Sequence, residues 1–441
     1  MINVVHVVPS FGYRGTSKST EVIINNSSSE FSHMVLVIGK SGDRAERVKN
    51  KGVQVISWDV NQDLQEIVRN NDSDVIHLYG DGFDNEFLLE LSTIPGVPIV
   101  ITGNFGWPNR SNLLDFADEY VFNSCFTSYR FRKLNKIKSD SFNNANLDMI
   151  YLPLARSDYC KSKNGDCSFD LRFRDEIQLI GKIGPKWSSM ALKAMQIVSR
   201  ERSDVKFVFV DPSDNMLEYI DTIGLLKDAI ILDRIPFNET NKFYNSIDIL
   251  AHSSHIGESF GNIFAEAMAQ CTPVVTNSMP MRDNAQIELV DHDVTGYIAN
   301  SAQSFADALL DLLSDREKIQ SFGRSALEKA EREFNPDIIV QEWERKYQEC
   351  TCGGQNDLLE LSEQRRKCIN YEAEYIRRLS NSYGEDPVAY DLEKDAWLTI
   401  SNLPTHRHEI YNLLRYRTLN PEGGAWGGVL NRGVDMLRKR M

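Results

Sequence analysis

The chain has 441 residues, a formal net charge of −14 at pH 7 and a hydrophobic fraction of 41%. This length accommodates two domains and a further segment, and the composition is that of a globular protein with a buried core. The negative charge argues against a broad nucleic-acid surface, which needs clustered Lys and Arg to displace counterions. We therefore expect no nucleic-acid partner, and any phosphate that binds must be neutralised by local groups.

The seven cysteines include no paired CxxC spacing, so they indicate neither a zinc site nor a disulfide framework. No Asp-x-Asp triplet stands at the end of a predicted strand, because Asp291 and Asp293 lie in a predicted turn. No apolar run reaches the roughly 18 residues of a membrane span, and the chain starts on a strand pattern rather than a signal peptide. We expect a cytoplasmic protein with no bound metal and no cofactor.

The amino-terminal half alternates short apolar runs with amphipathic helical patterns, as a parallel sheet requires. The predicted strands are residues 2–8, 34–38, 53–57, 74–78, 98–102 and 119–122. The predicted helices are residues 17–25, 43–51, 63–70 and 85–91. This pattern predicts one doubly wound domain, whose ligands bind outside the carboxyl ends of the strands.

Three loops at that edge are candidate ligand sites. The first contains Gly15, which allows close backbone approach just before a helix start that favours an anion. A Walker-type phosphate loop is a weak alternative there, because its second glycine would be Ser17. The second loop follows His77, which is either a hydrogen-bonded core histidine or an acceptor-side group. The third holds Asn104 after the strand at residues 98–102.

The alternation breaks over residues 151–172, which we interpret as an interdomain connection. Strands are then predicted at residues 177–180, 205–210, 229–232, 247–251, 274–276 and 296–299. Helices are predicted at residues 188–200, 239–245, 261–269, 302–314, 317–333 and 336–349. The second half therefore predicts another Rossmann-like sheet.

The most informative stretch, residues 252–275, reads HSSHIGESFGNIFAEAMAQCTPVV. Its predicted helix begins near Asn262, and the free amides and partial positive charge of such an end favour phosphate. Glu266 lies about 6 Å further along the axis, where its carboxylate can accept from the two hydroxyls of a ribose. Glu258 stays in the preceding loop, within reach of the group on the far phosphate. The alternative is an ordinary amphipathic helix with an exposed Glu266.

The two glutamates at this spacing, with the segments ESFG, EAMA and PVV around them, resemble the donor-site signature of retaining glycosyltransferases of the GT-B superfamily, family 4, glycosyl transferases group 1. The resemblance implies an α/β fold in which two Rossmann-like, doubly wound domains face each other across a cleft. The implied parts are an acceptor domain (1–155), a nucleotide-sugar donor domain (156–335), a crossover helix back to the first domain (336–350) and a helical extension of unknown role (351–441).

The resemblance also implies roles for individual residues. Glu266 would bind the ribose, and Glu258 the hydroxyls of the donor sugar. Lys182 and Lys186 would bind the diphosphate, whose charge grows as the glycosidic bond breaks, and Gly15 would lie over it. The remaining implied donor contacts are Arg234 and Ile235 beside the nucleobase, and Ser259, Phe260, Gly261, Asn262 and Ile263 around the helix start.

Three positions depart from the family pattern. Asn104 stands where family members often have a histidine that faces the transferred sugar, so hydrogen bonding is kept but a proton carrier is lost. Lys182 replaces an arginine and supplies a point charge without the bidentate fork. Trp187 stands where glycine is usual. Surface lysines are the alternative interpretation of Lys182 and Lys186.

Residues 355–441 fall outside the resemblance and read as mostly helical, with a basic end from Arg432 to Arg440. Two interpretations stay open for this extension. It is either a helix at the membrane surface, which would place the protein peripherally at the inner membrane face, or an extra helical layer or oligomer contact.

We predict a metal-independent hexosyltransferase of glycan biosynthesis. It would move a sugar from a nucleotide sugar to a hydroxyl of a glycan, glycolipid or protein, with retention at the anomeric carbon. Two alternatives share the architecture: a catalytically weakened paralogue that acts as a binding or assembly subunit, and a sugar-nucleotide epimerase.

Overall fold

The structure is a computed structural model. It describes residues 1–351 apart from 13–14, 60–61, 81–82, 84, 107–115, 136–140, 143–144, 161–176, 237–238 and 280–282. The predicted helical extension lies outside the described residues beyond Thr351, as does most of the predicted interdomain connection. No helix within the described part is both long and apolar enough to cross a membrane.

The first half of the chain forms a sheet with helices on its faces. Its strands are β1 (Ile2–Val8), β2 (Phe31–Val37), β3 (Gln54–Ser57), β4 (Val75–Tyr79), β5 (Ile99–Gly103), β6 (Glu119–Phe122), β7 (Ser141–Phe142) and β8 (Ala145–Met149). They lie in the order β3-β2-β1-β4-β5-β6-β8-β7, and only the β7–β8 pair is antiparallel. The six predicted strands are confirmed with small shifts of their ends, because their near-continuous apolar runs suit a sheet covered on both faces.

The helices of this half are α1 (Gly15–Asn26), α2 (Asp43–Lys49), α3 (Leu64–Asn70), α4 (Asn85–Ser92) and α5 (Cys125–Asn135). The first four match the predicted helices closely. The sequence pattern did not predict α5, whose sequence CFTSYRFRKLN lacks a clear apolar stripe. Contacts from the second half of the chain stabilise its amino terminus, as described below.

The second half forms a separate parallel sheet. Its strands are β9 (Gln178–Ile183), β10 (Val205–Val210), β11 (Ala229–Leu232), β12 (Ile249–His252), β13 (Gly257–Glu258), β14 (Val274–Thr276), β15 (Asp283–Asn284) and β16 (Gly296–Ile298). The sheet order is β11-β10-β9-β12-β14-β16, and β13 pairs with β15 apart from it. The order reverses between β9 and β12, which is the switch point where open α/β sheets bind ligands.

The helices of the second half are α6 (Ser189–Glu201), α7 (Asp214–Thr222), α8 (Thr240–Ser246), α9 (Asn262–Ala269), α10 (Gln286–Leu289), α11 (Ala302–Ser314), α12 (Arg316–Glu333) and α13 (Pro336–Thr351). The structure adds α7 and the short α10 to the predicted set. The last helix, α13, leaves the second sheet and packs against α1, β1 and β4 of the first. It therefore runs where the crossover helix was expected, although the exact domain boundaries stay a prediction.

The docking of α13 explains His77. This histidine is fully buried, its Nδ1 lies 2.7 Å from the Tyr347 hydroxyl of α13, and its Nε2 lies 2.7 Å from Oγ1 of Thr102. The imidazole also packs on the indole of Trp343, with ring centroids 4.4 Å apart. Both ring nitrogens are thus hydrogen-bonded inside the core, which favours the core interpretation over an acceptor-side role.

The same burial predicts acid sensitivity. Desolvation holds the pKa of His77 well below 6.5. Below pH 6.5 the unfolded chain therefore binds more protons at this site than the folded chain, and stability falls by up to about 1.4 kcal/mol per pH unit for the one group. We expect thermal unfolding of His77→Gln, measured between pH 7.5 and 5, to depend less on pH than that of the wild type. Parallel declines for the two proteins would contradict this prediction.

Candidate functional site

The carboxyl edges of the two sheets face each other. Ser124, which follows β6, donates its hydroxyl to the carbonyl oxygen of Ser259 at 2.8 Å, and Ser259 follows β13 in the second sheet's loops. Gly15, the first residue of α1, lies against Asn262 at the start of α9. A cleft is therefore formed by the edges at which α/β sheets bind their ligands.

Two helix amino termini meet in this cleft. A Cβ atom at Gly15 would collide with the side-chain amide of Asn262, so the start of α1 packs closely on the start of α9 because residue 15 is glycine. Neither helix has an acidic residue in its first turn. Gly261, with φ of 99°, precedes α9 and offers no side-chain cap. Two positive helix ends brought together without a carboxylate in either first turn favour an anion between them.

Glu266 lies one turn into α9, as expected, but it has partners that the sequence did not indicate. Its Oε2 accepts a hydrogen bond from the Tyr244 hydroxyl at 3.0 Å, and its Oε1 accepts from the Lys18 ammonium of α1. Lys18 also pairs with Asp158 at 2.8 Å. Burial disfavours the charge of Lys18, but the attraction of Glu266 and Asp158 outweighs it, so the pKa of Lys18 lies above its ordinary value.

Glu258 forms a second charged cluster with Lys186 and His252, and Lys182 lies close enough to interact with it electrostatically. Its Oε2 lies 2.7 Å from the Lys186 ammonium and its Oε1 lies 3.3 Å from His252 Nε2. Its backbone N–H donates to the side-chain oxygen of Gln286 at 3.1 Å, which holds the loop in place. Burial opposes ionisation, yet the hydrogen bond from His252 and the charge of Lys186 outweigh it and lower the pKa of Glu258.

Lys182 is the buried member of the pair. Its side chain is 2% exposed, and its ammonium donates to the carbonyl oxygens of Ile183 at 2.9 Å and Gly184 at 3.1 Å. Burial lowers the pKa of Lys182 to about 7, with the charge of Lys186 adding to the effect and that of Glu258 opposing it. The surface interpretation is therefore wrong for Lys182, whereas Lys186 is 42% exposed on its side chain.

His252 is a member of this cluster that the sequence reasoning did not single out. It ends β12 and is 2% exposed, and burial together with Lys182 lowers its pKa to about 4. The ring is therefore neutral near pH 7, and its Nε2 must carry the hydrogen that Glu258 accepts, because a carboxylate cannot donate. The sequence could have indicated His252 as a site residue, because it directly follows a predicted strand, six residues before Glu258.

The other predicted site residues do not belong to either charged cluster. Asn104 is 9% exposed, accepts from the Asn123 amide at 3.4 Å and lies against Gly80. Arg234 pairs with Asp211 at 2.8 Å at the ends of β11 and β10. The side chains that belong mainly to packing are Phe260, which contacts the rings of Tyr151 and Phe334, and Ile263 and Ile235, which pack partly buried on the same core.

The two halves are joined beside the cleft by Glu288 of α10. Its carboxylate accepts hydrogen bonds from the backbone N–H of Cys125 at 2.9 Å and of Phe126, and from the Tyr151 hydroxyl at 3.3 Å. A glutamate of the second half therefore caps the amino terminus of α5 in the first. Sequence reasoning missed it because the partners are more than 130 residues apart.

Comparison with known proteins shows which family the second half of the chain resembles. The glycosyl transferases group 1 family matches residues 179–329. This segment contains Glu258 and Glu266 together with their partners from the second half of the chain, which are Lys182, Lys186, Tyr244 and His252. The capsular polysaccharide biosynthesis glycosyltransferase CapM of Staphylococcus aureus is 22% identical over 160 residues, which are 35% of this chain and 41% of CapM. The match therefore spans less than half of that relative's own length.

Two solved structures share the fold over most of the chain. HepE of Anabaena, in complex with UDP and glucose, superposes with a TM-score of 0.64 at 16% identity, covering 78% of this chain and 99% of HepE. A glycosyltransferase from Rickettsia africae gives a TM-score of 0.65 at 12% identity, covering 81% of this chain and all of that one. The chain therefore has the GT-B fold, and residues 179–329 match the glycosyl transferases group 1 family.

Proposed function

We propose that this protein transfers a sugar from a nucleoside diphosphate sugar to a hydroxyl of a glycan acceptor. The observation that carries the proposal is the meeting of two helix starts, at Gly15 and Asn262, that have no acidic residue in their first turns and lie between the Glu258 and Glu266 clusters. A diphosphate placed there has the ribose side of the nucleotide toward Glu266 and the sugar toward Glu258. A nucleotide sugar presents its groups in this order.

The charges on the donor side suit the departure of a diphosphate. Lys186 pairs with Glu258 and Lys182 interacts with it electrostatically. In this proposal the two ammonium groups stabilise the negative charge that grows as the bond from the anomeric carbon to the phosphate oxygen breaks. The two lysines and the two helix amino termini together supply positive charge that can neutralise the diphosphate in place of a metal ion. We therefore propose that the reaction is metal-independent, and that chelation with EDTA leaves the rate unchanged.

We further propose that the anomeric configuration is retained through front-face attack. The acceptor oxygen bonds to the anomeric carbon on the side from which the diphosphate leaves, and the acceptor's proton passes to the departing phosphate oxygen. Glu258 is held between Lys186 and His252 and is kept ionised, which suits it to bind sugar hydroxyls. Closure of the two halves excludes water and so protects the donor from hydrolysis.

UDP is the first nucleotide to test, because the HepE structure contains UDP and glucose. We expect Glu266→Ala to weaken UDP binding by about 100-fold or more, because two hydrogen bonds to a charged group contribute about 1.5–3 kcal/mol each. Glu258→Gln is expected to change UDP binding little, since UDP has no sugar for it to bind, while turnover of the sugar nucleotide falls. Calorimetric titration with UDP and assays of nucleoside diphosphate release from UDP-, GDP- and ADP-hexoses measure both effects.

The assay also separates the alternatives. Nuclear magnetic resonance of the product establishes whether the anomeric configuration is kept. Epimerised sugar nucleotide without acceptor would replace the proposal by an epimerase, and tight nucleotide binding without turnover of any donor would indicate a binding subunit. If Glu266→Ala binds the nucleotide as tightly as the wild type does, the assignment of the ribose site is contradicted.

A further inference from the structure

The carboxylate of Glu266 is held from both halves of the protein. Tyr244, in the second half, donates its hydroxyl to Oε2 at 3.0 Å, and Lys18, in the first half, donates its ammonium to Oε1. An ionised carboxylate offers about four lone-pair positions on its two oxygens. Each oxygen of Glu266 therefore spends one position on a protein donor and keeps about one for a ligand.

Lys18 is itself held in place. It lies one turn along α1 from Gly15, as Glu266 lies one turn along α9 from Asn262, so the two side chains meet one turn beyond the helix starts. Asp158 binds the same ammonium at 2.8 Å, and the side chains of Lys18, Asp158 and Glu266 are only 12%, 13% and 14% exposed. An ammonium between two mostly buried carboxylates stays protonated and has little freedom to move.

We propose that Lys18 and Tyr244 are positioning residues that orient Glu266 so that each of its oxygens accepts from one hydroxyl of the donor's ribose. The proposal rests on the function proposed above, in which Glu266 binds the ribose. Because Lys18 belongs to the first half and Glu266 to the second, the orientation is complete only when the two halves are closed on each other. Recognition of the ribose is thereby coupled to closure of the cleft.

A cation at this place has a second consequence. Without Lys18, the carboxylates of Glu266 and Asp158 would face each other with no charge between them, and their repulsion would turn Glu266 away from the ribose. Loss of Lys18 therefore acts on the two ribose hydroxyls specifically. The phosphates are bound elsewhere, at the helix starts and by Lys182 and Lys186.

The test compares ribose with deoxyribose ligands. The probe is whichever of UDP, GDP and ADP binds most tightly in the screen, together with its 2′-deoxy and 3′-deoxy counterparts, and calorimetry gives each Kd. We expect the wild type to prefer the ribose form by about tenfold over either deoxy form. In Lys18→Met the preference falls to about twofold or less, mainly because the ribose form binds more weakly. Lys18→Arg keeps most of the preference, and Tyr244→Phe loses part of it.

Lys193→Met is the matched control, because Lys193 is exposed on α6 and the substitution removes the same charge. It should keep the wild-type preference, and thermal unfolding shows whether each variant is folded. The proposal is overturned if Lys18→Met weakens ribose and deoxy ligands equally, which would make Lys18 a general phosphate attractant. It is also overturned if Lys18→Met binds the ribose form more tightly, which would make Lys18 a competitor of the ligand.

The outcome is distinct from that of the function test. Binding of no nucleoside diphosphate by the wild type would overturn the proposed function and this inference together. Tight binding with a ribose preference that Lys18→Met leaves intact would overturn the positioning role of Lys18 alone. Tight binding with no ribose preference would overturn that role together with the ribose site at Glu266, and would leave sugar transfer as proposed.

Discussion

Lys182→Met is expected to lower kcat about 10²- to 10³-fold, the effect of removing one preorganised donor from a site where negative charge develops. The ammonium of Lys182 is buried and fixed by the carbonyl oxygens of Ile183 and Gly184, so it needs little rearrangement to meet a leaving diphosphate. Methionine has a similar length and no charge. The loss should therefore appear in turnover more than in packing, and rates at saturating donor measure it.

The pH dependence provides a second signature of Lys182. Its pKa of about 7 in the free protein means that the ammonium is present below pH 7 and is lost as the pH rises through 7. We expect kcat/KM for the donor to decline above about pH 7. A bound diphosphate favours the charged form and raises the pKa, so kcat should stay level to higher pH.

Lys186→Met serves as the comparison, because the Lys186 side chain is 42% exposed and its charge is partly screened by water. We expect a smaller loss of kcat, and a decline that lies at somewhat higher pH than in the wild type, because the charge of Lys186 helps to lower the pKa of Lys182. A Lys182→Met protein that is folded, active at the wild-type rate and shows the same pH profile would refute the role given to Lys182.

Glu288→Leu is expected to cost about 2–6 kcal/mol of stability, because it leaves two buried backbone N–H groups of α5 without an acceptor at about 1–3 kcal/mol each. Glu288 is 1% exposed and its carboxylate lies on the N–H groups of Cys125 and Phe126, so water cannot replace it. The apparent unfolding temperature should fall by about 5–15 °C. The transition should also broaden or split, because the residue joins the two halves.

Two further variants sharpen the result for Glu288. Glu288→Gln keeps one side-chain oxygen as an acceptor, so its loss should be about half as large. Glu317→Gln removes the same charge from an exposed position in the first turn of α12 and should be nearly neutral. If Glu288→Leu unfolds at the same temperature as Glu317→Gln, the carboxylate does not stabilise α5.

The sequence predicted most of the fold because the relevant signals are local. Strands such as β1 and β10 are short apolar runs, and helices such as α11 have an apolar stripe, so burial in a layered sheet follows from each segment alone. Two of the missed segments have weaker local signals. ANLDM of β8 alternates apolar and polar residues over only five positions, and CFTSYRFRKLN of α5 lacks a clear apolar stripe. Both are ordered through neighbours that are distant in the chain.

The candidate site divides in the same way. Glu258 ends the short strand β13, where the sequence predicted a loop, and Glu266 lies one turn into α9, so their spacing alone places them on either side of a helix start. The burial of Lys182 could not be predicted from the sequence, because the same residue on an exposed loop would have the pKa of an ordinary lysine. Its environment depends on how β9 packs beside β12.

What the sequence determined by itself is therefore the pair of sheets and the motif of two glutamates around the start of α9. What only the tertiary structure decided is which groups meet those glutamates: Lys18 from 248 residues away, with Tyr244, on Glu266, and His252 with Lys186 on Glu258. The physical reason is that helix and strand formation depend on neighbours within a few residues. Ion pairs, caps and pKa shifts depend on which surfaces are buried together when the two halves close.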